Sequence, residues 1–459
     1  MKSETKSFDY IIIGAGSGGL LVAVGLLRLG KDVAVVSENI GGDCTHYGCV
    51  PSKTLLHLAK EYQKEPSTYI QNTLRAKAFV TVRDTIKSFA TEEDDIIPQN
   101  RYFKGTAEFL STNTLKVILS GVETILKFKK KCIIASGSSP VRMEIPGIPK
   151  ERLITNEEFF YLKSLPKSIS IIGGGPIGAE LATACAGFGI ETHLTSRSYL
   201  PKEPELISKK SLELLIKSGV KYHSAKPVKL ENGKLKLDDG TEINETEYYL
   251  LALGRMPNTN IQLVKARVSY DKAGIKVDRN LITSNQAIFA IGDCTQNPQF
   301  THLAANHGKF VVKKILVPFA KRRIRALPRV TFINPSIASV GTIAETNASH
   351  LFELNFNSLD RARTNFEQNS RGVISIDVRT GLVLGASLLG EFSEELINVI
   401  TLMMDEQISV LRMSDFISPY PTYGNILHTI SRDYMAYLSQ NWKKYPIGSV
   451  KQFISYLTH

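Results

Sequence analysis

Two thiols are placed where they could do chemistry together. Cys44 and Cys49 lie in the stretch GGDCTHYGCVPSK, residues 41–53, at the start of a predicted helix over residues 42–60. The N-terminal end of a helix lowers a thiol pKa, and a close pair of thiols can cycle between dithiol and disulfide. A metal would need further ligands, and His46 and His57 are the only candidates nearby, so no metal site is expected. Cys132, Cys185 and Cys294 read as small buried residues. Five cysteines in 459 residues are too few for a secreted disulfide scaffold.

Two glycine clusters point to phosphate. Gly14, Gly16 and Gly19 follow an aliphatic run and open a helical pattern. In this GxGxxG spacing the first glycine allows a tight turn and the second lets the backbone approach a pyrophosphate. The third lets the helix pack on the strand, and the helix N-terminus turns its N–H groups and positive dipole end toward the anion. Gly173, Gly175 and Gly178 repeat the arrangement, so two dinucleotides are implied. An acid after the second strand of such a unit holds ribose hydroxyls. In the first unit Ser37 stands at the usual place and Glu38 follows it, so Glu38 is assigned to the ribose. In the second unit Ser196 and Arg197 replace the acid, and a guanidinium suits a 2′-phosphate, so NADPH is expected in preference to NADH.

The elements that carry these residues can be read from periodicity. Residues 8–40 read as strand, glycine turn, helix, strand, and residues 168–196 repeat that unit. Between them come the cysteine-bearing helix start, a polar helical stretch over 67–91, short strands around 107–135, and a linker marked by Pro140, Pro146 and Pro149. LLALGRMPN (250–258) closes a domain and AIFAIGD (287–293) is a further buried strand. From Arg329 the pattern changes to short strands followed by helices over 393–405 and 426–438. The expected fold is α/β, with two Rossmann-like nucleotide-binding domains and a C-terminal α+β domain.

Composition excludes several alternatives. Hydrophobic residues make up 43% and charged residues 22%, which suits a globular chain and neither disorder nor a collagen repeat. No apolar run reaches the roughly 18 to 20 residues of a membrane span, and the polar N-terminal lead has no signal core, so a cytoplasmic protein is expected. Lys and Arg number 56 against 44 Asp and Glu, a net +12. The densest basic run, Lys321–Arg325, reads as a solvated loop, and nucleic-acid binding is not expected.

The stretch GGDCTHYGCVPSK resembles the redox-active disulfide signature of the class I pyridine nucleotide-disulfide oxidoreductases, which include glutathione reductase, dihydrolipoamide dehydrogenase and mercuric reductase. The similarity continues through IIASGSSP (133–140), GGGPIGAE (173–180), LALGRMPN (251–258), FAIGDCT (289–295), FTHLAANHG (300–308), VTFINPSIASVG (330–341) and PYPTYGN (419–425). GGDC, FTHLA and PYPTY are most similar to the mercuric-reductase-like branch. The resemblance implies an FAD-binding domain at 1–145 and 262–326, an NAD(P)-binding domain at 146–261, and a homodimerisation domain at 327–459. It implies Cys49 as the thiolate against the flavin and Cys44 as the thiol that exchanges with substrate. Lys53 and Glu180 match an ion pair beside the reactive flavin nitrogen, and Asp293 would hold the ribityl chain. Gly42, Gly105, Ser136, Gly137, Ser138, Gln299, Phe300, Thr301 and His302 would line the FAD, while Val228 and Gly254 fall where the nicotinamide nucleotide is contacted.

One departure matters most. The family carries a His before Pro-Thr and a Glu four residues after that Pro, a pair that shuttles the proton of the leaving thiol. Here the positions hold Tyr420 and Asn425, with Ser418 where a related branch places a His. A Tyr near pKa 10 is only about a thousandth ionised at pH 7. His428, three residues beyond Asn425, is the candidate substitute. The expected activity is FAD-dependent transfer of hydride from NADPH to a Cys44–Cys49 disulfide, and onward to a small-molecule or small-protein acceptor: a disulfide, a metal ion or a quinone. The alternatives are a flavoprotein redox sensor without turnover and a quinone reductase at the membrane surface. In the latter the Lys and aromatic residues of the tail, 441–459, would lie at the interface, although packing in the dimer is the favoured reading of that tail.

Overall fold

Strand β1, Thr5–Gly16, is aliphatic on both faces because both of its faces are covered. The computed structural model describes residues 5–94, 96–119 and 122–445. The tail beyond 445, with its proposed membrane contact, lies outside the described residues. Alternate side chains of β1 enter different cores. Tyr10 and Ile12 pack with Val22, Ala23 and Leu26 of helix α1, Ser17–Arg28, while Ile11 and Ile13 pack with Phe109, Leu115 and Val117 on the other side.

The chain divides into two units. The first comprises residues 1–173, 187–195 and 225–323. In chain order it begins with β1, α1, β2 (Val33–Gly41), α2 (Gly42–His46), α3 (Cys49–Lys64) and α4 (Thr68–Asp94). Then come β3 (Tyr102–Lys104), β4 (Thr106–Phe109), β5 (Thr114–Leu119) and β6 (Val122–Ile134). The sheet order is β3-β2-β1-β6-β5-β4, and strand Ile288–Ala290 also pairs with β6. β1, β2, β3 and β6 run parallel, so their C-terminal ends open at one edge, where nucleotide sites form. The predicted strand at 287–293 is therefore a parallel member of this sheet. Helix α8, Thr301–Leu316, packs beside α1, with its Phe310 and Val311 in the same core.

The second glycine cluster begins from a smaller parallel array. β7 (Ser138–Pro140) leads to β8 (Leu153–Ile154), α5 (Asn156–Phe159) and β9 (Ser168–Ile172). β9 is flanked by β10, Glu191–Thr195, and by strand Tyr248–Leu251, both parallel to it. Between β9 and β10 the chain forms α6, Pro176–Gly187.

The second unit comprises residues 174–186, 196–224 and 324–459. It includes most of α6 and all of α7, Glu205–Lys217. Its C-terminal part is an antiparallel five-stranded sheet ordered 329–331, 337–341, 383–389, 371–377, 349–354. Helices Ser393–Asp405 and Ile426–Gln440 fall where periodicity placed them, and contribute Ile397, Ile400, Leu427 and Ile430 to one core with Ala338, Val340, Ala386 and Leu388. Among the described residues no helix is long and apolar enough to cross a membrane.

Candidate redox and nucleotide site

The groove at the open edge of the first sheet is built where backbone passes backbone. Gly14 has φ +98°, and a Cβ there would run into the Ala135 carbonyl. A Cβ on Gly19 would strike the Gly14 carbonyl, so α1 rests directly on the turn. Gly42, with φ +62°, lies with the Cβ position 2.7 Å from Gly16 Cα. Gly16 itself faces the groove with space beside it. The tight turn at Gly14 and the helix packing at Gly19 read from GxGxxG are thus visible, and Gly42 equally lacks room for a side chain.

One groove gathers most of the residues expected around the flavin. Its walls include Gly14, Gly16, Glu38, Gly42, Cys44 and Asp293, with Ser136–Ser138 and Thr301 completing them. Glu38 is exposed on β2 next to Ser37, three residues before the strand ends at the buried Gly41. The Ser37 carbonyl accepts from the Tyr102 hydroxyl at 2.9 Å and from the Gly105 N–H at 3.0 Å, which ties Gly105 to the same strand end. Gln299 donates to the Asp293 carbonyl at 3.4 Å, and the Phe300 and His302 rings lie 5.3 Å apart at the start of α8, Thr301–Leu316. The residues present fit a dinucleotide: open backbone at Gly16 and Gly42, a helix N-terminus, and carboxylates at Glu38 and Asp293.

Cys44 stands on the groove wall and Cys49 lies beside Thr301 of that wall, but the helix expected over 42–60 is broken. Cys44 belongs to the short helix α2, and Cys49 is the first residue of α3, with Tyr47 and Gly48 between the two helices. Gly48 has φ −117° and ψ −107°, outside helical geometry, so the chain turns there and starts a new helix at Cys49. Cys49 therefore meets the free N–H groups of α3 directly. The Cys49 sulfur lies 3.7 Å from the Thr301 hydroxyl, so a second helix N-terminus, that of α8, faces the same sulfur. A hydrogen bond with Cys49, then burial, then the Cys49 charge push the Cys44 thiol far above the ordinary range. The arrangement holds the proton on Cys44. His46, weighed as a metal ligand, instead pairs its ring nitrogen with the Ile40 carbonyl at 2.8 Å.

Sequence reading missed Asp43, Arg255 and Asn258. Arg255 joins the Asp43 carboxylate at 2.8 Å, the Ser138 hydroxyl at 2.8 Å and the Ser138 carbonyl at 2.7 Å. Ser138 in turn donates to Asp293 at 3.0 Å. Burial raises the Asp293 carboxyl above its ordinary value, opposed by the Ser138 hydrogen bond and the Arg255 charge. Asn258 donates from its amide to the Ser136 carbonyl at 3.0 Å, and the Ser136 hydroxyl donates back to the Asn258 carbonyl at 2.7 Å. The stretch LALGRMPN held both residues, but their partners lie over a hundred positions away, beyond any local pattern.

The remaining expected residues are distributed over both units. Lys53 lies on α3, one turn after Cys49. Glu180, on α6 in the second unit, is 7% exposed, and its carboxylate accepts the Phe332 N–H at 2.9 Å. Gly173 has φ +125° and abuts the Ala252 carbonyl, repeating the role of Gly14, while Gly175 is open and Gly178 is buried in α6. Gly254 has φ +98° with open space around it, Val228 is exposed on strand Pro227–Glu231, and Arg197 is exposed in the segment after β10. Tyr420 is 74% exposed and donates its hydroxyl to Asp360 at 2.8 Å, a bond that raises its pKa. Asn425 donates to the Ser418 hydroxyl at 2.6 Å, and His428 Nε2 lies 3.2 Å from that same oxygen.

The chain is similar to known proteins over most of its length. Residues 8–308 match the family model described as pyridine nucleotide-disulphide oxidoreductase, and residues 327–430 match that family's dimerisation domain. A mercuric reductase of Staphylococcus aureus is 30% identical over 448 residues, covering 90% of this chain and 80% of that protein. A dihydrolipoyl dehydrogenase of Geobacillus stearothermophilus is 28% identical over 450 residues, covering 91% and 94%. Among solved structures, the HOCl-induced flavoprotein disulfide reductase RclA from Escherichia coli, in its Cu(II) complex, has a TM-score of 0.83 at 25% identity, covering 93% of this chain and 99% of that one.

The glycine crossing predicts a specific defect. Gly42→Ala combines a left-handed conformation with contact against Gly16, so FAD affinity should fall about ten- to a hundredfold, as strain of about 1 to 3 kcal/mol implies. Gly30→Ala is the control, because φ is +66° there and nothing lies within 4 Å. Flavin fluorescence during dialysis should separate the two variants.

Proposed function

The chain belongs to the pyridine nucleotide-disulphide oxidoreductases, and from that premise we propose that Cys44 and Cys49 form its redox centre. Enzymes of this family use FAD and NAD(P)H and pass reducing equivalents to a disulfide. The observation that carries the assignment is the Cys49 sulfur 3.7 Å from Thr301, on the wall of the groove that Gly14, Gly16 and Gly42 keep open. FAD, when bound, supplies the two-electron relay between the nicotinamide and the sulfurs. Glu38 would hold its adenosine ribose, the α1 N-terminus its pyrophosphate and Asp293 its ribityl chain. Residues 1–145 with 262–326 form the FAD domain in this reading, 146–261 the NAD(P) domain and 327–459 the interface of a homodimer.

The balance is simple. Reducing the disulfide to a Cys44 thiol and a Cys49 thiolate takes two electrons and one proton, and the hydride brings both the electrons and the proton; a second proton is taken from solvent only when the Cys49 thiolate is itself protonated. Cys49 takes the position nearest two helix N-termini, where a thiolate is stabilised. Cys44, whose proton is held tightly, serves as the exchanging thiol and must lose that proton to attack an acceptor. Lys53 and Glu180 are assigned to the reactive edge of the flavin by their match to the family's ion pair. Arg197 stands where a 2′-phosphate would be held, which makes NADPH the preferred reductant.

A metal ion is the favoured final acceptor. Relatives are named as mercuric reductases, and the RclA structure is a Cu(II) complex. A metal ion needs no protonated thiol leaving group, whereas disulfide substrates use the His and Glu that are Tyr420 and Asn425 here. Tyr420 is committed to Asp360, and Asn425 closes a polar cluster with Ser418 and His428.

Three measurements test this reading. NADPH added anaerobically should expose two new thiols per chain in the wild type; if none appears, the cysteine pair is not the redox centre. NADPH should be used about ten- to a hundredfold better than NADH in kcat/KM, and Arg197→Ala should erase most of the difference; equal use by the wild type contradicts the assignment. Glutathione disulfide and lipoamide should be reduced slowly, by about 10² to 10⁴ relative to enzymes with the proton relay, while Cu(II) or Hg(II) is reduced faster. Tyr420→His with Asn425→Glu should raise only the disulfide activity. Rapid disulfide reduction by the wild type, lost in His428→Ala, would instead make His428 the proton carrier.

A further inference from the structure

Arg255 lies behind the groove and not in its lining, yet it touches three groups that the site depends on. Its side chain is 12% exposed and that of its partner Asp43 is 39% exposed. Asp43 is adjacent in sequence to Cys44, and its second carboxylate oxygen abuts Gly48, where a Cβ would approach to 3.0 Å. Gly48 is the residue before Cys49. The carboxylate therefore sits between the two cysteine-bearing helices, at the N-terminal end of α3. That end offers positive potential to a Cys49 thiolate, and an unbalanced negative charge there opposes it.

We propose that Arg255 is a positioning residue that neutralises Asp43 beside the cysteine pair and ties the thiol-bearing helix α2 to the Ser138–Asp293 turn. This inference rests on the assignment of Cys44 and Cys49 as the redox pair. One nitrogen of the fork serves both Asp43 and the Ser138 carbonyl, while Nε holds the Ser138 hydroxyl. That hydroxyl passes its proton-donating bond to Asp293. The chain Asp43–Arg255–Ser138–Asp293 joins the thiol-bearing wall of the groove to the wall that carries Asp293. Lys has one point charge in place of the planar fork, so it can balance Asp43 without holding both Ser138 groups.

The acidity of Cys49 reports the charge pairing directly. In a Cys44→Ser holoprotein, the rate of alkylation by iodoacetamide against pH gives the midpoint for Cys49 ionisation; the three other cysteines are fully buried. Arg255→Met should raise that midpoint by about one to two pH units, because Asp43 is then unpaired. Adding Asp43→Asn to Arg255→Met should return the midpoint to near the parent value, and Asp43→Asn alone should lower it. FAD retention, read by absorbance after gel filtration, should fall in both Arg255→Met proteins and hold in Asp43→Asn. An unchanged midpoint in Arg255→Met overturns the proposal, as does a shift that Asp43→Asn fails to reverse, since that marks lost packing. If Arg255→Met does not fold, the Asp43→Asn midpoint decides, and no lowering overturns it. A parent protein whose Cys49 midpoint is no lower than an ordinary thiol's, about 8.5, would instead count against the redox-pair assignment itself.

Discussion

The closest constraint in this molecule is steric: at the open edge of the first sheet, backbone must pass backbone with no side chain between. Gly14 against Ala135, Gly19 against Gly14, and Gly42 against Gly16 each leave less than a methyl group's room. That closeness brings the start of α1 and the start of α2 side by side in the lining of one groove. Because α2 carries Cys44 and is followed after two residues by Cys49, the same crossing sets Cys44 on the groove wall with Cys49 close behind it. In the proposed reading nucleotide binding and sulfur chemistry depend on one backbone arrangement, so a change at Gly42 should disturb both.

A second theme is where protons and charges reside. The hydrogen bond between the two thiols keeps the proton on Cys44, while Cys49 faces the N-termini of α3 and α8. That polarity suits a pair in which one sulfur holds negative charge and the other waits to exchange. It also makes proton removal from Cys44 a real requirement for any acceptor. The C-terminal region, with Tyr420 turned to Asp360 and with Ser418, Asn425 and His428 bonded among themselves, offers weak acid–base chemistry. An acceptor that binds sulfur without demanding a proton is the natural match.

Local patterns in the sequence carried much of this. GxGxxG, the cysteine spacing and the aliphatic run of β1 each report a short stretch whose geometry is set by near neighbours. The C-terminal helices were legible for the same reason: their apolar period matches the face that enters the core with Leu388 and Ala386. The break between Cys44 and Cys49 was not, because Gly48 is compatible with a continuing helix and only its approach to Asp43 and Cys44 shows why the chain turns. Arg255 and Asn258 were equally hidden, since their partners sit at Asp43 and Ser136. No periodicity encodes a contact of that range.

The central claim is that the Cys49 thiolate and bound FAD form one electronic unit with Cys44 as the exchanging partner. The most direct test is the visible spectrum of the holoenzyme during anaerobic titration with NADPH. A long-wavelength absorption band should appear after two electrons, disappear in Cys49→Ser, and be present already in oxidised Cys44→Ser, where Cys49 is left as a free thiolate. A flavin that simply bleaches on two-electron reduction, with a spectrum indifferent to either substitution, would contradict the account.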